Sequence, residues 1–257
     1  MKMIEKCIET SLGKITIYLS ERPKTIPLVF LHGVYLDHSI WKQTVSDELL
    51  LKHTIVLIDM PMHGNSKLVN QSWDMNSCVD MFFEILDGLG FERVIAIGHS
   101  WGSMTILRAA SIDPDRFDKL ILFNMPYKAL TITSRLIIRL RHLMLVFPQF
   151  YYEQVGKALM SKESLKKNRF LMKNFIEMIS GLKRHEIVKT DKEVLVDAVN
   201  TLQLINDLSV PHIIVKGKDD YVPLPPNSKT MIIPGGHLSP MEVPDEVRRI
   251  IKLNLYK

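Results

Sequence analysis

Cysteine is scarce in this 257-residue chain. Cys7 and Cys78 are the two present, too few for a disulfide framework. A reduced, cytoplasmic protein is the expectation. No stretch approaches the ~18 consecutive apolar residues that a membrane span requires. The opening MKMIEKCIETSLGK carries lysines but no apolar segment behind them, so it does not read as a secretory signal. Internal repeats and low-complexity tracts are missing as well, which leaves an ordinary globular chain.

What is present supports a substantial core: 46% of residues are apolar and 24% charged. The length suits one α/β unit with an insertion. The net charge of +5 is unevenly spread, because residues 128–192 hold fourteen Lys/Arg against five Asp/Glu. Such a bias suits an anionic partner or surface, and it equally suits a solvated, lysine-rich helical face.

Hydrophobic patterning predicts strands at 14–20, 27–31, 54–59, 93–98 and 118–124. Between the first two, 21–25 reads as a turn. Helices are predicted near 39–50, over 74–86 with 87-DGLG-90 as its stop, and over 100–111. This alternation implies a mostly parallel, doubly wound sheet. From 125 to 208 only helical patterns follow, including 134–147 and 163–179, and these read as an inserted helical cap. The alternation resumes with strands at 211–217 and 229–233 and a last helix at 244–254. The expected division is thus a core of 1–124 and 209–257 with a cap of 125–208.

The segment Gly98-His99-Ser100-Trp101-Gly102 joins a buried strand to a helix. There, G-x-S-x-G describes a sharp turn that lifts the serine hydroxyl out of the sheet. Chance alone places the three fixed residues in roughly one chain of this length in ten, so the placement carries the weight. A serine nucleophile needs a base within hydrogen-bond reach and a carboxylate to orient that base. Two later strand ends offer them: 217-GKDDYVP-223 and 234-PGGH-237. In a parallel sheet both loops open on the same edge as Ser100. His237 is the candidate base. Counting from Gly217 selects Asp220 as the acid, and counting back from Pro223 selects Asp219; Asp220 is preferred because Gly217 marks the strand end. Candidate oxyanion donors are the backbone N–H groups of Trp101 and Val34, the latter after a strand that ends in His32-Gly33.

Four motifs together, namely His32-Gly33, 59-DMPMHGNS-66, the turn at Ser100 and 236-GHLSPMEVPDEV-247, resemble the α/β-hydrolase superfamily. The resemblance covers all but the cap and is to the serine-nucleophile branch, since position 100 is not Asp as in dehalogenases and epoxide hydrolases. It implies hydrolysis by Ser100, His237 and Asp220, with no metal or organic cofactor, and a structural role for His63. Met62 departs from the pattern, where similar proteins usually carry glycine, and so does Ser103. The 17 positions from Asp220 to His237 leave 223-PLPPNSK-229 as loop where similar proteins place a helix. Asn124 stands where some relatives keep their acid, a role an amide cannot fill.

The implied activity is cleavage of a small carboxylic ester or related acyl compound. Carbon–carbon bond hydrolysis of a diketone, or ligand reception on the same fold, are the alternatives. For the cap, three readings stay open: an apolar pocket with a basic mouth for an anionic substrate, a basic amphipathic surface for membranes, or a helix whose apolar face packs inward while its arginines meet water. Nucleic acid is not an expected partner, membrane contact is a lesser expectation, and a monomer or homodimer is expected.

Overall fold

The computed structural model describes residues 3–20, 25–68, 72–226 and 228–255. Among these, nine strands form one sheet: β1 (Ile4–Thr10), β2 (Gly13–Ser20), β3 (Leu28–Leu31), β4 (Ile55–Ile58), β5 (Lys67–Leu68), β6 (Val94–His99), β7 (Phe117–Phe123), β8 (His212–Gly217) and β9 (Thr230–Ile233). Their order is β1-β2-β4-β3-β6-β7-β8-β9, with β5 beside β2. The pairings β1/β2 and β2/β4 are antiparallel, and every pairing from β4/β3 to β8/β9 is parallel. The central strands LVFL, IVLI and VIAIGH are buried at every position, because a parallel sheet is covered on both faces.

The helices are α1 (Asp47–Lys52), α2 (Met75–Gly88), α3 (Trp101–Ile112), α4 (Ile132–Arg141), α5 (Pro148–Leu159), α6 (Lys162–Lys167), α7 (Phe170–Ser180), α8 (Arg184–Thr190), α9 (Leu202–Asn206), α10 (Ser239–Glu242) and α11 (Pro244–Leu255). Helix α2 starts at Asp74, whose carboxylate accepts the Ser77 N–H at 2.8 Å and so satisfies one orphan donor of the first turn. Helices α4 to α9 all lie between β7 and β8, where the sequence places the insertion.

Several predicted elements differ in detail. The helix expected near 39–50 is a 3₁₀ turn, His38–Trp41, followed by the short α1, whose N-cap is Ser46. The pattern at 134–147 ends its α-helix at Arg141 and continues as a 3₁₀ turn before Pro148, the first residue of α5. The pattern at 163–179 is two helices, α6 and α7, broken at Asn168. β1 was not foreseen: it is an edge strand with its first four residues exposed, and Glu5, Lys6 and Glu9 mask the alternation. The turn predicted at 21–25 falls, except for Thr25, outside the described residues. The shortened link after Gly217 does lack a helix among the described residues, yet β9 still pairs parallel with β8.

Candidate active site

Strand β6 ends in a backbone that few side chains tolerate. Ser100 has φ +50° and ψ −110°, far from the helical values of α3, which begins at the next residue. Such a residue projects its side chain away from both elements. The flanking glycines make the turn possible. A Cβ on Gly98 would lie 2.5 Å from the Ser103 nitrogen, and one on Gly102 would lie 2.4 Å from the Leu31 carbonyl oxygen. Ser103 fits at its own position, where its hydroxyl donates to the Phe123 carbonyl at 3.1 Å.

The loops after β8 and β9 converge on that serine. His237 Nε2 lies 2.9 Å from Ser100 Oγ, and His237 Nδ1 lies 2.9 Å from Asp220 Oδ1. With the Nδ1 proton donated to Asp220, Nε2 is left to accept the serine hydroxyl. All three residues are buried. Asp219 is exposed, and among the described residues its hydrogen bond is from its backbone N–H to the Gly235 carbonyl, with none from its carboxylate to His237.

Asp220 is itself held from several sides. Its Oδ2 accepts from Asn124 Nδ2 at 2.7 Å, and its Oδ1 accepts the Val222 N–H at 3.0 Å. Burial works to raise this carboxyl. The His237 hydrogen bond and charge, the Asn124 amide and the Val222 N–H outweigh it and hold the group below the usual carboxylate range. Asn124 has φ +50°, a left-handed geometry that asparagine tolerates, and its own oxygen accepts from Ser239 Oγ at 2.5 Å. The Asn124–Ser239 pair was missed by sequence reasoning, which asked whether Asn124 could be the acid rather than whether it could support one.

Of the predicted oxyanion donors, Val34 lines the same cavity as Ser100, and Trp101 is the next residue in the chain. Among the described residues neither the Val34 nor the Trp101 N–H has a protein acceptor. The loop carrying Val34 is fixed by two buried histidines. His32 accepts the Met60 N–H at 2.9 Å, and His63 accepts the Tyr35 N–H at 3.1 Å. Burial pushes His32 down to about 3 and lowers His63, so both stay neutral acceptors. Beside them Met62 adopts φ +65°, the conformation that explains why similar proteins favour glycine there. Its sulfur offsets the strain in part by accepting from Trp73 Nε1 at 3.3 Å, while Trp73 stacks on Trp101.

Residues 26–169 match the profile of the alpha/beta hydrolase fold, more than half of the chain. The chain belongs to the alpha/beta hydrolase family. An (E)-2-((N-methylformamido)methylene)succinate hydrolase of Acinetobacter baylyi is 29% identical over 127 residues, 49% of this chain and 47% of that protein. Epoxide hydrolase 4 of Mus musculus is 30% identical over 109 residues, 42% of this chain and 30% of its own. The chain thus spans less than half the length of these relatives. Among solved structures, an esterase from Thermogutta terrifontis superimposes with a TM-score of 0.83 at 21% identity, covering 99% of this chain and 98% of that one. A hydrolase from Pseudomonas aeruginosa gives a TM-score of 0.86 at 17% identity and 98% coverage of both. These likenesses concern the fold.

In this alpha/beta hydrolase a cavity of about 440 Å³ opens onto Ser100 and His237. Most of its wall is apolar, drawn from α4, α5 and the 191–196 turn, and Tyr221 leans over His237 with ring centroids 5.0 Å apart. Its charged lining residues are Lys128 and Arg141, with no carboxylate among them. The Arg141 guanidinium lies 5.7 Å from the Tyr151 ring, 3.4 Å from Tyr35 Oη and 4.0 Å from Asp191. Asp191, fully buried at the start of a π-helical turn, also accepts from Tyr35 Oη and, at 2.8 Å, from His142. That cluster joins the Val34 loop to the inserted helices. The sequence carried no signal for it, because its members are 35, 141, 142, 151 and 191.

Proposed function

We propose that this chain is a serine hydrolase that cleaves a small carboxylic ester or related acyl compound. The hydrogen-bonded series Ser100–His237–Asp220 at the floor of the cavity is the observation that carries this reading. Ser100 Oγ attacks the acyl carbon while His237 takes its proton, and the carbonyl oxygen becomes an oxyanion facing the Val34 and Trp101 N–H groups. Collapse expels the alkoxide, which receives the proton from His237. Water, deprotonated by His237, then attacks the acyl-enzyme, and Ser100 leaves with the proton. Asp220 holds the imidazole tautomer and stabilises the imidazolium, and Asn124 positions Asp220. Residues 125–208 act as the cap over the core of 1–124 and 209–257.

The substrate reading follows from the wall. An apolar body fits the α4 and α5 side, and an anionic group, a carboxylate in the first instance, fits Arg141 and Lys128. The Acinetobacter baylyi relative, named for a succinate derivative, supports an anionic substrate.

Labelling with a fluorophosphonate tests the mechanism. Wild-type protein should be labelled, and Ser100→Ala should not. Labelling that persists in the variant overturns the assignment. A panel of p-nitrophenyl esters, with and without a terminal carboxylate and beside a ring-cleavage diketone, tests the substrate class. Preference for the diketone over every ester would move the reaction to carbon–carbon hydrolysis.

A further inference from the structure

Helix α4 leaves most of its large apolar residues exposed. Of its ten residues only Ile138 is buried. Ser134, Ile137, Ile138 and Arg141 line the cavity, so two polar groups look inward beside two isoleucines. Ile132, Leu136 and Leu140 look outward, and Leu143, Val146 and Phe147 extend the same stripe into the following turn. Each of the six is more than half exposed. Of the reading in which an apolar face packs inward while arginines meet water, Arg139 does meet water, but most of the apolar residues of this helix do not pack inward. Contiguous exposed apolar surface of this kind marks an interaction site rather than a solvent face.

The charges beside the stripe indicate what covers it. Between Lys119 and Tyr152 the chain has no Asp or Glu, and with Lys128 and Arg141 lining the cavity the cations left beside the stripe are Arg135, half-buried, and Arg139. Arg139 is exposed on the stripe itself. A second copy on a two-fold axis would set these cations against themselves. A surface of lipid phosphates complements them while accepting the leucines and phenylalanine below. No helix among the described residues is long and apolar enough to cross a membrane, and a ten-residue helix suits a position in the interfacial plane.

We infer that the outer face of α4 and the turn after it docks onto an anionic lipid bilayer. Ile137 connects this surface to the cavity, since it lines the cavity and is more than half exposed at its rim. Docking there sets the cavity mouth at the lipid boundary. The inference rests on the surface and stands whether or not the catalytic reading holds.

Flotation with phosphatidylcholine vesicles, with and without phosphatidylglycerol, tests it. The full chain should float with the mixed vesicles and bind phosphatidylcholine alone about tenfold more weakly. Arg139→Glu should weaken partitioning about tenfold, and Leu136→Glu with Leu143→Glu about a hundredfold. Thermal melting of both variants should match wild type, which separates lost docking from lost folding. No flotation with the mixed vesicles overturns the inference, as does equal flotation of wild type and variants. A concentration-dependent dimer that the double variant dissociates, without vesicle binding, assigns the stripe to a second copy and also overturns it.

Discussion

The side chains around Ser100 are tied to one another in series, whereas the helices between β7 and β8 leave a row of apolar side chains in solvent. His237, Asp220, Asn124 and Ser239 form one continuous series of hydrogen bonds, and backbone carbonyls or N–H groups fix its ends. In the cap, Arg141 Nε and Tyr151 Oη are buried with no acceptor or donor among the described residues, and a row of leucines meets solvent. A linked series of the kind around Ser100 has one arrangement and suits chemistry that tolerates little misplacement. On the readings proposed above, the inserted helices meet substrate on their inner side and a lipid surface on their outer side.

The comparison can be broken most sharply at the serine. Ser100→Ala should lower ester turnover by about a million-fold with the melting temperature unchanged, read in a p-nitrophenyl ester assay. At the acid, Asp220→Asn should cost about ten-thousand-fold, while Asp219→Asn stays within about twofold of wild type. Equal losses in both would show that the geometry at 220 does not select the working carboxylate. Asn124→Ala removes the amide that donates to Asp220 Oδ2 and should cost about tenfold to a hundredfold in kcat, with the acid limb of the pH–rate profile moved upward. The inner cap is expected to matter for binding rather than turnover. Arg141→Gln should raise KM about tenfold for a carboxylate-bearing ester and leave a neutral ester of equal length unchanged.

Acid should affect the two regions differently. His32, His63 and His99 are buried in the core with lowered pKa values, His32 and His99 reaching about 3, with burial as the first cause. Unfolded histidine binds its proton near pH ~6.5. The unfolded chain therefore takes up protons that the folded core refuses. Stability from these groups is complete above that pH and falls as the pH drops from about 6.5 toward 3. The urea midpoint should decline steadily over this range, and a flat midpoint would show that these histidines titrate alike in both states.

The same division decided what the sequence could reveal. Ser100, Asp220 and His237 were readable because each follows an apolar strand, buried for β6 and largely so for β8, and parallel strands deliver their ends to one edge. The choice between Asp219 and Asp220 needed the glycine at the strand end, and the structure brings Asp220 to the histidine. Asn124 escaped because a residue read as a failed acid gives no hint of supporting another. In the cap, periodicity found the helices but not their orientation. A stripe at helical spacing is the same string whether it faces the core or the solvent, and α4 faces solvent. The breaks at Arg141 and Asn168 were likewise hidden, since one apolar pattern runs through each.

One contact between the two regions also constrains how the cavity can open. The His237 N–H donates to the Leu159 carbonyl at 2.7 Å, and Glu242 accepts from both Ser161 at 2.8 Å and Gly236 at 3.0 Å. The junction of α5 and α6 is thereby stitched to the loop that holds the base. Lifting the cap as a rigid body would drag the imidazole out of line with Ser100. An opening that preserves the alignment of His237 with Ser100 has to leave residues 159–161 in place.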